Sequence, residues 1–208
     1  MKKIRNKRKL VWGIGINDSD YAVQPRINGK GVMCPFYTKW VDMLRRCYSK
    51  KQRQKYSSYI ECYVTVEWLK FSVFKAWMET QDWQGKELDK DILFPGNKMY
   101  GPESCVFVDS RVNSFLIESN TIRGDFPIGV CYDKRSGKYL ASCRIISSRK
   151  QKHLGYFTTP EEAHKAWLAF KLEQAKILAS EQTDKRVEKA LIDRYENYNT
   201  WNLNFQTI

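Results

Sequence analysis

The stretch from Gly129 to Ile177 constrains the fold of this chain more than any other. Gly129-Val130-Cys131-Tyr132-Asp133 reads as a short strand, and Arg135-Ser136-Gly137-Lys138 supplies a turn. Tyr139 to Ile146 then sets Tyr139, Ala141, Cys143 and Ile145 on one side of a strand and Leu140, Ser142, Arg144 and Ile146 on the other. Ser147 to Lys150 is a second turn, ahead of a strand over Lys152 to Phe157. Thr159-Pro160-Glu161-Glu162 opens a helix, with Thr159 as N-cap, Pro160 at the first helical position and Glu162 placed to complete a capping box. Ala163, Ala166, Trp167, Phe170 and Ile177 give that helix an apolar face. The pattern predicts three antiparallel strands packed on one helix. A further helix is expected over Asp184 to Tyr198, and Trp201 to Phe205 is expected to dock back on the fold.

Upstream, Tyr37, Trp40, Val41, Leu44 and Cys47 recur at helical spacing between Phe36 and Tyr48. Tyr59 to Val66 alternates like a strand, and Trp68, Phe71, Phe74, Trp77 and Met78 form the face of a second helix, a stripe expected in the core. Residues Glu87 to Leu93, the loop Pro95 to Glu103, the run Cys105 to Val108 and the stretch Asp109 to Leu116 predict strand, loop, strand and helix. Asn17 to Asp20 and Asn28 to Gly31 are turn-rich and predict an irregular or hairpin-like lead-in. The polar stretch Asn120 to Asp125 is where a domain boundary is expected.

The 208 residues include 36 Lys and Arg against 23 Asp and Glu, a net charge of +13. With 42% hydrophobic and 14% aromatic residues the chain is too apolar to be a disordered polycation. The surplus clusters in three runs: Lys2, Lys3, Arg5, Lys7, Arg8 and Lys9; Arg45, Arg46, Lys50, Lys51, Arg53 and Lys55; and Lys134, Arg135, Lys138, Arg144, Arg149, Lys150 and Lys152. A merely solvated face mixes both signs, so a polyanionic partner is favoured, with affinity that falls steeply with salt. No apolar run approaches the roughly 20 residues of a membrane span. The basic start lacks the apolar stretch of a secretory signal. A cytoplasmic location, that of a host cell if the chain is phage-encoded, and no membrane partner are expected. The six cysteines lack C-x-x-C spacing and are expected to be reduced core thiols; Cys47, Cys62 and Cys105 could meet in space around a metal, but separated cysteines in an aromatic-rich chain are more often plain core residues.

Gly129-Val130-Cys131-Tyr132-Asp133, Gly137-Lys138-Tyr139-Leu140-Ala141, His153-Leu154-Gly155-Tyr156-Phe157 and Glu161-Glu162-Ala163-His164-Lys165-Ala166 resemble, in order and spacing, the APETALA2/ethylene-response-factor DNA-binding domain. The resemblance implies a three-stranded sheet laid in the major groove of double-stranded DNA. Lys134, Arg135, Lys138, Arg144, Arg149, Lys150 and Lys152 are the candidates for phosphate and base contacts, with Tyr139 or Tyr132 at a base edge. Arg45 and Arg46 are further DNA-binding candidates from the second basic run.

The preceding part carries Trp40-x-x-Met43-x-x-Arg46-Cys47-Tyr48, Glu67-Trp68-x-x-Phe71-x-x-Phe74-x-x-Trp77, Leu88-Asp89-Lys90-Asp91-Ile92, Gly96-Asn97-Lys98-x-Tyr100-x-Pro102-Glu103-x-Cys105-x-Phe107-Val108 and Asn113. It resembles the phage-borne HNH homing-endonuclease-like proteins. The resemblance implies an α+β chain: an HNH-like strand-loop-strand-helix module with preceding helices, then the three-stranded sheet on its helix, then a C-terminal helix. The expected divisions are a basic arm and lead-in over 1–30, the HNH-like module over 31–122, the DNA-binding module over 123–178 and a helix and tail over 179–208. In the family a divalent cation stabilises the scissile phosphate and a His activates water. Asp89, Asp91, Asn97 and Asn113 are the catalytic candidates here, with Mg²⁺ or another divalent cation on Asp89, Asp91 and Asn113. The two histidines, His153 and His164, lie in the other module, the former expected to be exposed or groove-facing and the latter on the helix surface, so the general-base His is missing. Two alternatives stand: a diverged metal-dependent DNA endonuclease, or a nuclease scaffold that only binds and acts against a host protein, nucleoprotein or defence system.

Overall fold

The computed structural model of the chain describes residues 9–116 and 126–198. Residues of the basic arm up to Arg8, the expected boundary at 120–125 and the tail from Trp201 to Phe205 lie outside the described residues. The chain is α+β and divides into two compact units, Met1–Asp109 and Ser110–Ile208. The division thus falls at the start of the helix after Asp109, ahead of the polar stretch that marked it in the sequence.

In the first unit, β1 (Arg26–Ile27) and β2 (Lys30–Gly31) pair antiparallel around Asn28-Gly29, both at positive φ as a two-residue hairpin turn requires. Helix α1 (Pro35–Tyr48) starts with Pro35 in its first turn and buries Trp40, Met43, Leu44 and Cys47, one face at i, i+3, i+4 and i+7. Ser49 ends α1 and its hydroxyl caps α2 (Lys50–Lys55) by accepting from the Gln52 amide at 3.4 Å. The expected strand over Tyr59 to Val66 shrinks to β3 (Tyr63–Val64), because short 3₁₀ turns at Ser57–Tyr59 and Glu67–Leu69 occupy its flanks. Helix α3 (Phe71–Glu79) buries Phe71, Phe74 and Met78. Its N-terminus is capped from a distance: the Asp18 carboxylate accepts from the Ser72 amide at 2.9 Å and from its hydroxyl at 2.5 Å.

Strand β4 (Glu87–Asp89) pairs antiparallel with β6 (Val106–Val108). The loop between them contains β5 (Met99–Tyr100), which pairs parallel with β3, a pairing two residues long and without a periodic signature. Trp40, Trp68, Phe71, Phe74 and Tyr100 fill the core of this unit, and the Trp40 indole N–H donates to the Trp68 carbonyl at 2.7 Å. The aromatic stripe is therefore packing, as its spacing predicted. Burial pushes the Cys47 and Cys105 thiols up to about 12, which makes them inert core residues.

The second unit opens with α4 (Ser110–Leu116), followed by β7 (Val130–Asp133), β8 (Lys138–Arg144), β9 (Gln151–Phe157), α5 (Pro160–Ser180) and α6 (Lys185–Glu196). The three strands form one antiparallel sheet in chain order. α5 begins with the expected capping box: the Thr159 hydroxyl accepts from the Glu162 amide at 3.2 Å and the Glu162 carboxylate accepts from the Thr159 amide at 3.3 Å. Ala141 and Cys143 are buried on the α5 side of the sheet, beside Ala163 and Trp167. Gly129 is required at the start of β7: its φ is +81°, and a Cβ there would stand 2.0 Å from Trp167 Cδ1. His164 is half-buried rather than a plain surface residue, stacked on Trp167 with Nδ1 2.9 Å from the Ile128 carbonyl oxygen. Among the described residues no helix is long and apolar enough to cross a membrane.

Candidate nucleic-acid interface

Residues opposite one another in an antiparallel pair share a face of the sheet. Tyr132 faces Tyr139, and Val130 faces Ala141, so these lie on the α5 side with Cys143. The other side takes Cys131, Asp133, Lys138, Leu140, Ser142 and Arg144. On β9 the alternation is interrupted: Ala141 is opposite Gly155 but Ser142 is opposite His153, so Leu154 is the extra residue of a bulge. From that point the faces of β9 are exchanged. Gln151 and His153 before the bulge and Tyr156 after it all join the outer face, while Lys152 turns to the α5 side with its Nζ 4.5 Å from the Phe170 ring centroid.

The outer face therefore carries cations at its two ends and neutral groups in its middle. Lys138 and the turn residues Lys134 and Arg135 are exposed at one end of β8, and Arg144, Arg149 and Lys150 at the other. The ends of this strand are about 20 Å apart at roughly 3.3 Å per residue. Between them stand Leu140, Ser142, His153 and Tyr156, the last 50% exposed. Asp133 is the single carboxylate of these strands and turns, and it is engaged locally. It accepts from the Arg135 amide at 3.0 Å and the Ser136 hydroxyl at 3.0 Å, which hold its carboxyl below the usual range.

The loop joining β8 to β9 closes through Ile145 N–H to Lys150 O at 2.8 Å and Arg149 N–H to Ile145 O at 2.8 Å. Arg149 sits there at φ +58°, the left-handed region that glycine enters freely and an arginine enters at a cost of order 1 kcal/mol.

The remaining sequence candidates are placed elsewhere. Tyr139 is on the α5 side, packed on Phe126 and Tyr132 at centroid distances of 5.2 Å. Arg46 is committed to the core of the first unit, donating to the Leu88 carbonyl at 3.2 Å and hydrogen-bonding the Tyr100 hydroxyl. Arg45 pairs with Asp42 at 2.8 Å. Cys131 is exposed on the outer face, not a core thiol. Cys131, Gln151 and Tyr156 are outer-face residues that the sequence candidates left out, and His153, expected to be exposed or groove-facing, is exposed beside them; the alternation of β7 marks Cys131, and the bulge hides the face that Gln151 takes.

The nuclease candidates form a loop scaffold. Asp89 accepts from the amides of Asp91 at 2.8 Å and Ile92 at 2.7 Å, and burial nevertheless raises its carboxyl above the ordinary value against those bonds. Lys90, 4% exposed, donates to Asp91 Oδ1 at 2.6 Å and to the Asn97 carbonyl at 2.5 Å. The Asn97 amide in turn donates to the carbonyls of Lys90 and Met99 and accepts from the Met99 amide. Asp89, Asp91 and Asn97 thus brace one loop around the buried lysine. Asn113 belongs to α4 and hence to the second unit. Cys, His, Asp and Glu form no group of three or more able to hold a metal among the described residues. No family model, curated protein or solved structure matches the chain.

Proposed function

We propose that this chain binds double-stranded DNA through the outer face of the β7–β9 sheet. The observation that carries the reading is the charge layout: cationic clusters about 20 Å apart flank a neutral strip with one carboxylate already engaged by its own turn. Major-groove recognition needs this division. Phosphates line the two rims of a groove about 12 Å wide, where Lys and Arg anchor the protein without reading sequence, and base edges in the middle are read by neutral donors and acceptors. Lys134, Arg135 and Lys138 would hold one rim, and Arg144, Arg149 and Lys150 the other. Ser142, His153, Gln151 and Tyr156 are the base-edge groups.

We further propose that binding is not accompanied by divalent-metal cleavage. Asp89, Asp91 and Asn97 serve the loop around Lys90, and the general-base His is missing, since both histidines belong to the second unit.

Fluorescence anisotropy on random-sequence duplexes tests the interface. With about six phosphate contacts, the logarithm of affinity should fall with the logarithm of salt at a slope near −5. Lys138→Glu with Arg144→Glu should weaken binding by about 100-fold or more, since each reversal removes a contact and adds a repulsion. Unchanged affinity in that variant, or binding indifferent to salt, would sink the reading. Supercoiled plasmid incubated with the pure protein and Mg²⁺ or Mn²⁺ should stay supercoiled, and linearisation would restore the nuclease alternative.

A further inference from the structure

Because β7 begins at Val130 opposite Ala141, β8 runs on beyond it to Arg144 without that neighbour. Alongside that extension the second unit holds a cleft of about 510 Å³, within the size range of small-molecule sites. Arg111, Arg144, Arg149 and Lys171 line it, and no carboxylate does. Two of these cations are fixed to its walls: Arg111 pairs with Glu181 at 2.7 Å, and Lys171 donates to the Phe115 carbonyl at 2.9 Å with its Nζ 3.5 Å from the Phe115 ring centroid. Arg144 and Arg149 are exposed at its mouth. The rest of the lining is largely apolar, including Phe115, Ile128 and Trp167, with the hydroxyls of Ser114 and Ser142 beside it. The cleft therefore offers charge for an anion and an apolar wall that a bare inorganic anion does not need.

A second observation points the same way. The backbone of the β8–β9 loop would be better served by glycine at position 149 than by the arginine that occupies it at φ +58°. A strained residue whose side chain lines a cleft is a mark of function.

We propose that this cleft binds a nucleoside 5′-phosphate, its phosphate on Arg144 and Arg149 and its base against the apolar wall. The same chemistry is presented by a free mononucleotide and by an unpaired nucleotide of a bound strand. The site rests on the cleft rather than on groove contact by the sheet face, although Ser142, Arg144, Arg149 and Gln151 serve both.

Calorimetric titration of the full chain with the four deoxynucleoside 5′-monophosphates, with inorganic phosphate and with deoxyadenosine tests it. At least one mononucleotide should bind about tenfold or more tightly than either part alone, the worth of one charge-assisted hydrogen bond. Arg149→Gly should weaken that binding by about tenfold while raising the melting temperature by about 4 °C. A purely structural arginine would show the second change without the first. Ser114→Trp, at an exposed position of α4, should fill the cleft and abolish mononucleotide binding. No mononucleotide preference over phosphate, or full affinity in Arg149→Gly, overturns the proposal. Mononucleotide on Arg144 and Arg149 takes two cations from one rim of the duplex site, so stronger competition against a duplex carrying one unpaired nucleotide than against a fully paired one identifies the bound strand as the source, and equal competition against both identifies the free nucleotide. Absence of duplex binding by the unaltered chain with mononucleotide binding present would overturn the sheet-face reading alone, and the reverse result the cleft alone.

Discussion

Asp89 shows how one residue can carry one reading in the sequence and another role in the fold. As a member of an acid pair it suggests a metal; in the fold its carboxylate is the acceptor for two consecutive amides in the turn after β4. Asp89→Asn keeps an acceptor oxygen in place and should leave stability within about 1 kcal/mol of wild type, whereas Asp89→Ala strands two amides and should cost about 2 kcal/mol. Urea melts of the two variants check this, and equal losses would contradict the turn-bracing role. The acids, the asparagines and the lysine were all legible in the sequence as a cluster. Their duties were not, because a carboxylate that closes a turn and one that holds a cation differ only in where neighbouring amides point. Arg46 illustrates the converse: in a basic run it reads as surface charge, yet its partners Leu88 and Tyr100 are brought to it only by the tertiary fold.

Among the elements, those with their own local grammar were legible. The capping box of α5, the apolar face of α1, the aromatic face of α3 and the three strands of the sheet follow from spacing and cap chemistry. The bulge at β9 was not legible, since it adds one residue against a partner strand and leaves no compositional trace, and it reversed the face of Lys152. α6 has a cap of its own: Asp184 accepts from the Arg186 amide at 2.9 Å, and the Arg186 side chain is the main cause of a carboxyl pKa lowered from 3.8. A lowered pKa means that the contribution is complete above that ordinary value and is lost as the pH falls through the folded one. Asp184→Ala should therefore cost about 1 kcal/mol at pH 7, with the cost shrinking in acid below the ordinary carboxyl value. Denaturant melts of both proteins across that range measure it, and a cost constant with pH would contradict the assignment.

At the scale of the whole molecule, the division between the units is the main departure from the sequence reading. Helix α4 completes the strand-loop-strand-helix order of the first unit in sequence, but its packing serves the second. Phe115 lies edge-on to Tyr195 at 5.3 Å, and Arg194 donates to the Leu116 carbonyl at 3.3 Å. Contacts between residues so far apart in the chain carry no local signal, whereas the polar stretch after α4 is conspicuous. A fragment beginning at Ser110 should unfold cooperatively. One beginning at Arg123, as the sequence suggests, lacks Phe115 and should be less stable by about 3 kcal/mol or more. Calorimetry of the two fragments decides between the boundaries, and equal stability would favour the later one.

Cys131 gives the outer sheet face a chemical address. The other five cysteines are buried or half-buried, and Cys131 alone is exposed, on the same side as Lys138, Ser142 and Arg144. A maleimide reagent under native conditions thus reaches the outer sheet face first, on its edge strand β7, so a spectroscopic label or a crosslinker can be placed there without engineering the chain, and shielding of that thiol would report what lies over the sheet.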